Sequence, residues 1–178
     1  MGNALTNIYR QDLRTLSTNR LLTPLGLTSN DIRWRTPLIY LKDLVYGVTA
    51  TKLSGGISGN VNAMAPLGYL YLNRGNWNGV QIVSSQWVDL STKAYYPRIP
   101  IMNLKIYGLL WWNNASGWVK GCPKDVCFAN GLNNNHVFVV PSLDLAAVRL
   151  GTDGWTNHGG NHAQFLEPIT DAVVNPLL

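Results

Sequence analysis

The side chains best suited to chemistry in this 178-residue chain are two cysteines, three histidines and a scatter of serines. Cys122 and Cys127 sit in Gly-Cys-Pro-Lys-Asp-Val-Cys. Two thiolates cannot fill a four-ligand zinc site, and no histidine lies at finger spacing from them. The pair leaves two readings open: a small-loop disulfide in an oxidising compartment, or two reduced thiols near a turn. His158 and His162 are four residues apart, with His136 and Asp153 elsewhere. A metal site would need both on one helical face and a third ligand. Gly159-Gly160 interrupts any helix between them, so they read as loop and helix start, and no metal or cofactor is expected. Asn114-Ala115-Ser116 has the form of a glycosylation sequon, a pattern that chance supplies readily.

The elements that must carry these groups follow from periodicity. Ala4, Leu5, Ile8, Tyr9, Leu13 and Leu16 recur at helical spacing, which predicts one helix with a buried face over 4–16. Pro24 and Gly26 end it. Residues 28–59 read as irregular, broken by Gly55-Gly56 and Gly59, and a loop of that length usually wraps a site. Asn62 is the expected cap of a second helix through Ala63, Met64, Leu67, Leu70 and Tyr71, with Pro66 at the edge of its first turn. Asn76-Trp77-Asn78-Gly79 reads as a turn, and Ser84 or Ser85 as the cap of a short helix around Trp87, Val88 and Leu90.

The second half changes character. Tyr107–Trp112 reads as a strand, Val126–Ala129 begins another, and Val137–Val140 and Leu145–Leu150 form a hairpin through Pro141-Ser142-Leu143-Asp144. Asn161 is the expected cap of a last helix through Phe165, Leu166, Ile169 and Val173. Helices over 1–95, then antiparallel strands and a closing helix over 105–178, predict an α+β fold in a single domain, 1–178.

Composition narrows the function classes. Hydrophobic residues make up 46% of the chain and charged residues only 13%. The first figure is globular. The second is about half the usual share, so neutral polar groups must cover the surface or part of it must be buried. The net charge is +5, but Arg10, Arg14, Arg20, Arg33, Arg35, Lys42 and Lys52 are scattered. No basic run or recognition motif accompanies them, and nucleic acid is not an expected partner. No apolar stretch approaches the roughly 20 residues of a membrane span. Met1-Gly2-Asn3-Ala4 opens directly into an amphipathic pattern, without the charged and apolar regions of a signal peptide.

Three segments together resemble the serine β-lactamase-like hydrolases, the group of class C β-lactamases, penicillin-binding DD-peptidases and related esterases. The first is Leu21-Leu22-Thr23-Pro24-Leu25-Gly26-Leu27. The second runs from Gly55-Gly56-Ile57-Ser58 through Ala63-Met64-Ala65 and Gly68-Tyr69-Leu70-Tyr71-Leu72-Asn73-Arg74-Gly75 to Trp77-Asn78-Gly79 and Gln81-Ile82-Val83. The third is Tyr107-Gly108-Leu109-Leu110-Trp111-Trp112, Phe128-Ala129-Asn130-Gly131 and Val139-Val140-Pro141-Ser142-Leu143-Asp144-Leu145. Their order and spacing over roughly residues 20–151 carry the likeness. It implies the C-terminal half of a β-lactamase/transpeptidase-like fold.

It also implies acyl transfer through a covalent acyl-enzyme. A serine hydroxyl needs an adjacent base, which this group supplies as Ser-x-x-Lys on a helix. Here Ser17 meets Arg20, Ser29 meets Ile32, Ser54 meets Ile57 and Ser58 meets Val61. Ser84 meets Trp87, Ser85 meets Val88, Ser91 meets Ala94, Ser116 meets Val119 and Ser142 meets Leu145. None gives the motif. Tyr71-Leu72-Asn73 has the form of the group's proton-shuttling Tyr-x-Asn, but it falls too late along the chain and reads as packing. The nucleophile, its base and the catalytic Tyr are therefore expected upstream of Met1, as is any export signal that would place the protein in the periplasm or outside the cell. The Lys-Thr-Gly strand of the family falls on Ala129, Asn130, Gly131, Leu132 and Asn133. Ala129 replaces the cationic anchor, a departure that argues against a dedicated β-lactamase. The Leu132 N–H can still serve an oxyanion hole, since a backbone donor needs no particular side chain, and Gly131 allows close substrate approach.

The expectation is a hydrolase part, inactive alone, whose complete form takes a small acyl ester, amide or peptide. The alternatives are a non-catalytic relative that binds a peptide or glycan on the same wall, and an interaction module completed by another chain. Without its companion strands, the sheet is expected to expose an edge near Val137–Val140 and to self-associate there.

Overall fold

The structure, a computed structural model, describes residues 2–34, 44–45, 48–49, 56–97, 105–151 and 162–174. They fall into two compact units, Met1–Ala63 and Met64–Leu178.

In the first unit the expected 4–16 helix is broken in two. α1 (Gly2–Tyr9) stops at Arg10, whose φ of 50° is left-handed and cannot continue a helix. Asp12 then starts α2 (Leu13–Ser17), its carboxylate accepting from the Arg14 N–H at 3.3 Å. The chain passes through a π-helical turn, Thr18–Leu22, to Gly26. Leu13, Leu22, Leu25 and Ile32 are buried. The stretch 28–59, expected to be irregular, contains β1 (Ile32–Trp34), β2 (Leu44–Val45), β3 (Val48–Thr49) and β4 (Ile57–Gly59). β1 pairs antiparallel with β4, Ile32 opposite Gly59, and β2 with β3. Two- and three-residue strands are too short to show alternation, so only the ladder reveals them.

Helix α3 (Val61–Leu72) leads into the second unit. Its cap is Asn60, which accepts from the Ala63 N–H at 2.8 Å, two residues before the expected Asn62. Pro66 consequently sits within the helix rather than in its first turn. α3 ends at Arg74 and Gly75, both with positive φ, where the Gly75 N–H reaches back to the Leu70 carbonyl at 2.7 Å. Only glycine fits at 75, because a Cβ there would be driven into the Val83 carbonyl. β5 (Asn76–Trp77) and β6 (Val80–Gln81) follow, joined by Asn78-Gly79 at φ 50° and 85°, the tight hairpin turn that Asn-Gly favours. α4 (Ser85–Thr92) is capped by Ser84, whose hydroxyl accepts from the Trp87 N–H at 3.2 Å.

The main sheet has six antiparallel strands: β7 (Tyr96–Pro97), β8 (Lys105–Tyr107), β9 (Trp112–Asn113), β10 (Cys127–Gly131), β11 (Asn135–Val140) and β12 (Leu145–Arg149). Each pairs with its neighbour in sequence, so the sheet is a meander. Tyr107–Trp112, expected as one strand, is instead the turn of a hairpin. Tyr107 pairs with Trp112, and the Gly108 N–H donates to the Trp111 carbonyl at 2.7 Å. Leu110 at the tip has φ 69°, and the Leu109 N–H ties the tip to Ser91 of α4 at 2.8 Å. An unbroken apolar run does not announce such a turn.

Helices cover both faces. On one, Val119, Val126, Phe128, Phe138, Val140 and Leu166 form the core against α5 (His162–Val174). On the other, α3 approaches so closely that a Cβ on Gly68 would lie 3.0 Å from Val137 and 3.4 Å from Ala146. Val137–Val140 is not an edge: β11 pairs with β10 on one side and β12 on the other. Among the described residues the outer strands of the ladder are β12 and β7. Asn161, the expected cap of α5, lies outside the described residues.

Candidate functional site

β10 divides into two parts. Cys127 and Phe128 pair with Asn113 and Trp112 of β9 on one side and with Val139 and Phe138 of β11 on the other. Ala129, Asn130 and Gly131 pair with Val137, His136 and Asn135, but β9 does not extend to them. Among the described residues, this end of β10 is an open strand edge. Asn130, Gly131 and Leu132 are exposed and Ala129 is half-buried.

The backbone turns sharply after Gly131. Leu132–Asn134 is a single 3₁₀ turn in which Asn133 and Asn134 have φ 60° and 57°, a conformation asparagine tolerates better than most residues. The turn is clamped from inside. The Asn135 amide donates to the Leu132 carbonyl at 2.7 Å and accepts from the Gly151 N–H at 2.8 Å. The Arg149 guanidinium donates to the Asn134 carbonyl at 2.8 Å. No backbone acceptor for the Leu132 N–H is found among the described residues, and its side chain is 61% exposed. At Gly131 the backbone is extended, φ −102° and ψ 172°. A Cβ there would meet Asn135 only at ordinary contact distance, 3.4 Å or more, so the fold itself does not demand glycine.

This arrangement presents extended N–H and C=O groups that can pair with a peptide-like acyl group as an added strand, next to a backbone N–H held in a fixed turn. Four of the described serines serve the fold: Ser17 donates to the Arg14 carbonyl, Ser84 caps α4, buried Ser91 donates to Val88, and Ser142 donates to Asp125 at 2.9 Å. Tyr71 lies at the end of α3 with its ring centroid 4.2 Å from that of Trp111, and the Asn73 amide donates to the Tyr69 carbonyl at 2.9 Å.

The cysteines are free thiols in the structure. Cys122 packs against the Phe128–Phe138–Leu166 cluster on the α5 face. Cys127 alternates with Phe128 along β10 and so faces the α3 side. Burial, then the Glu167 and Asp171 carboxylates, pushes the Cys122 thiol up to about 11. Burial, then Asp125, pushes Cys127 to about 12. Both remain protonated at neutral pH, which suits packing rather than exchange or ligation. His136 and His162 are buried on the α5 side, His136 directly opposite Asn130 of the open half of β10, while His158 and Asp153 lie outside the described residues. Among the described residues no three His, Cys, Asp or Glu side chains are placed to hold a metal ion, and no helix is long and apolar enough to cross a membrane.

Asn114 is fully buried. Its amide donates to the carbonyls of Val119, Cys122 and Pro123 at 2.9–3.3 Å, and its oxygen accepts from the Val119 N–H at 2.7 Å. The sequon is therefore the hub of a loop and is closed to a glycan in the folded chain. The supporting roles of Asn114, Asn135 and Arg149 were not visible in the sequence. The run of asparagines after Gly131 was the only signal, and it marks a turn without saying which amide holds it.

No protein-family model matches the chain, and no curated protein matches it in sequence. Solved structures do. A penicillin-binding-protein homologue from Caulobacter crescentus matches with a TM-score of 0.59 and 13% identity, over 83% of this chain and 48% of its own. A provisionally named β-lactamase from Bacteroides dorei matches with a TM-score of 0.54 and 14% identity, over 91% of this chain and 50% of its own. The likeness carried by the motifs thus holds at the level of the fold. The chain has an α+β fold shared with part of these proteins and spans about half their length.

Proposed function

We propose that the chain forms the sheet wall of a β-lactamase-like acyl-transfer site, with Ala129–Gly131 as the strand that receives the acyl group and the Leu132 N–H as an oxyanion donor. In this reading the serine nucleophile and its base come from outside these 178 residues, and the chain alone is inactive. The observation that carries it is the open half of β10 ending in a clamped turn. The absence of Ser-x-x-Lys and the half-length match to the two solved structures support it. The substrate is a small acyl ester, amide or peptide. Ala129, standing where the family keeps a cation, favours one without an anchoring carboxylate.

The same open edge favours a second reading, a binding module that takes an extended peptide as an added strand without chemistry. Reading the gene in frame upstream of Met1 separates the two. A Ser-x-x-Lys followed by Tyr-x-Asn supports the hydrolase, and the joined chain should then hydrolyse acyl esters and take up a fluorophosphonate at that serine. The chain by itself should show neither property, because loss of the nucleophile costs several powers of ten in rate. Stoichiometric labelling of a serine within these 178 residues would overturn the proposal.

A further inference from the structure

Two Asn-Gly steps occur in the chain, Asn78-Gly79 and Asn130-Gly131. Asparagine is a thermolabile residue. It is most labile before glycine, whose missing side chain leaves the next backbone nitrogen free to reach the asparagine Cγ. The two steps sit in different settings. Gly131 belongs to the five-residue pairing of β10 with β11. Gly79 belongs to the turn of a hairpin whose strands pair at only two positions, Asn76 with Gln81 and Trp77 with Val80. Asn78 and Gly79 are exposed, and among the described residues a Cβ on Gly79 would meet nothing within 4 Å. One contact restrains the nitrogen that would react: the Gly79 N–H donates to the Asn76 side-chain oxygen at 3.0 Å.

We propose that Asn78 is a site of spontaneous deamidation and that the Asn76 amide sets its rate. In the reaction the Gly79 nitrogen gives up its proton to water and bonds to Cγ of Asn78. The side-chain Cγ–N bond breaks, and its nitrogen takes a proton and leaves as ammonia, which closes a succinimide ring. Water then opens the ring at one carbonyl to give aspartate, or at the other to give isoaspartate. While the Gly79 N–H is bonded to Asn76 it is a poor nucleophile, since the bond stabilises the protonated amide that must ionise. A ladder of two pairs opens locally at little cost, and opening frees the nitrogen. The product changes the fold. Isoaspartate adds one backbone carbon to a two-residue turn, whose length sets the pairing of Trp77 with Val80. The hairpin is tied to the end of α3 by the Gln81 amide, which donates to the Arg74 carbonyl at 2.8 Å, and by the Ile82 N–H, which donates to the Gly75 carbonyl at 2.9 Å. Deamidation therefore loosens the connection between α3 and α4. The site does not depend on any activity at β10.

The test is to hold the chain at mildly alkaline pH and physiological temperature, as wild type, N76A and N76D, and to follow isoaspartate by mass spectrometry of tryptic peptides. Each protein is also incubated unfolded in urea, and the native state of the others is checked by circular dichroism. Cleavage after Arg74, Lys93, Lys124 and Arg149 puts Asn78 and Asn130 in separate peptides, so one digest reads both steps. In the folded chain isoaspartate should form at Asn78 before Asn130. Folded N76A should deamidate at Asn78 about two- to tenfold faster than wild type, the factor that one hydrogen bond is worth. Folded N76D keeps an acceptor and should be no faster than wild type. In urea the three rates at Asn78 should converge. Equal rates in folded wild type and N76A, or folded N76D as fast as its urea control, would overturn the role of Asn76. Faster modification at Asn130 than at Asn78 would overturn the site.

Discussion

The two ends of β10 share one strand and one partner, β11, yet differ in what holds them. Cys127-Phe128 is laddered on both sides and buried, with Phe128 fully enclosed among Trp112, Trp118, Phe138 and His162. Among the described residues, Asn130-Gly131 is laddered on one side only, and it is exposed. The first end anchors the sheet by burial. The second is kept in place by hydrogen bonds within the following turn, which leaves its outer backbone groups available. In the proposed reading stability and recognition are divided along this single strand, and substitutions at the two ends should separate them.

The largest effect is expected at the buried end. Phe128→Ala removes a fully enclosed ring and should cost about 3–5 kcal/mol in urea unfolding. A loss near 1 kcal/mol would mean that the cluster can collapse around the gap. Next comes Asn114→Ala in the loop that leads into β10. It leaves buried carbonyls of Val119, Cys122 and Pro123 without their donor, at a cost of about 2 kcal/mol in the same assay. A smaller gain is expected from Leu110→Gly, which relieves a left-handed residue whose side chain is 62% exposed at the β8–β9 tip. The melting temperature should rise by an amount equivalent to about 1 kcal/mol. The smallest effect is reserved for the open end. Gly131→Ala should leave stability within about 0.5 kcal/mol, because its backbone is extended and the added carbon meets only ordinary contacts. A large loss there would erase the distinction between the two ends.

The sequence was most legible where one residue decides local geometry. Asn78-Gly79 announced its turn, Ser84 its helix, and Pro141–Asp144 the hairpin between β11 and β12. It was least legible where geometry depends on distant partners. Arg10 breaks the first helix through a backbone angle that nothing in its type requires. β1 and β4 are too short to be seen apart from each other. Val137–Val140 was expected to be an edge for want of companion strands, although the hairpin read at Pro141–Asp144 already sets Leu145–Arg149 beside it, as the ladder shows. The motif set the proposed wall at Ala129–Asn133. What could not be read was that β9 stops at Trp112-Asn113 and uncovers Ala129–Gly131, or that Asn135 and Arg149 hold the turn.

The proposed oxyanion wall depends most directly on the Leu132 N–H. Gly131 is already in the extended conformation that a residue before proline adopts, so Leu132→Pro should fold, as circular dichroism can check. In the proposed enzyme, completed by a nucleophile-bearing segment, the measurement is acyl-ester turnover by Leu132→Ala and Leu132→Pro. The alanine variant should retain turnover, while the proline variant, lacking the N–H, should lose about 10²–10³-fold. Full turnover by a folded proline variant would contradict the assignment of this turn as the oxyanion wall.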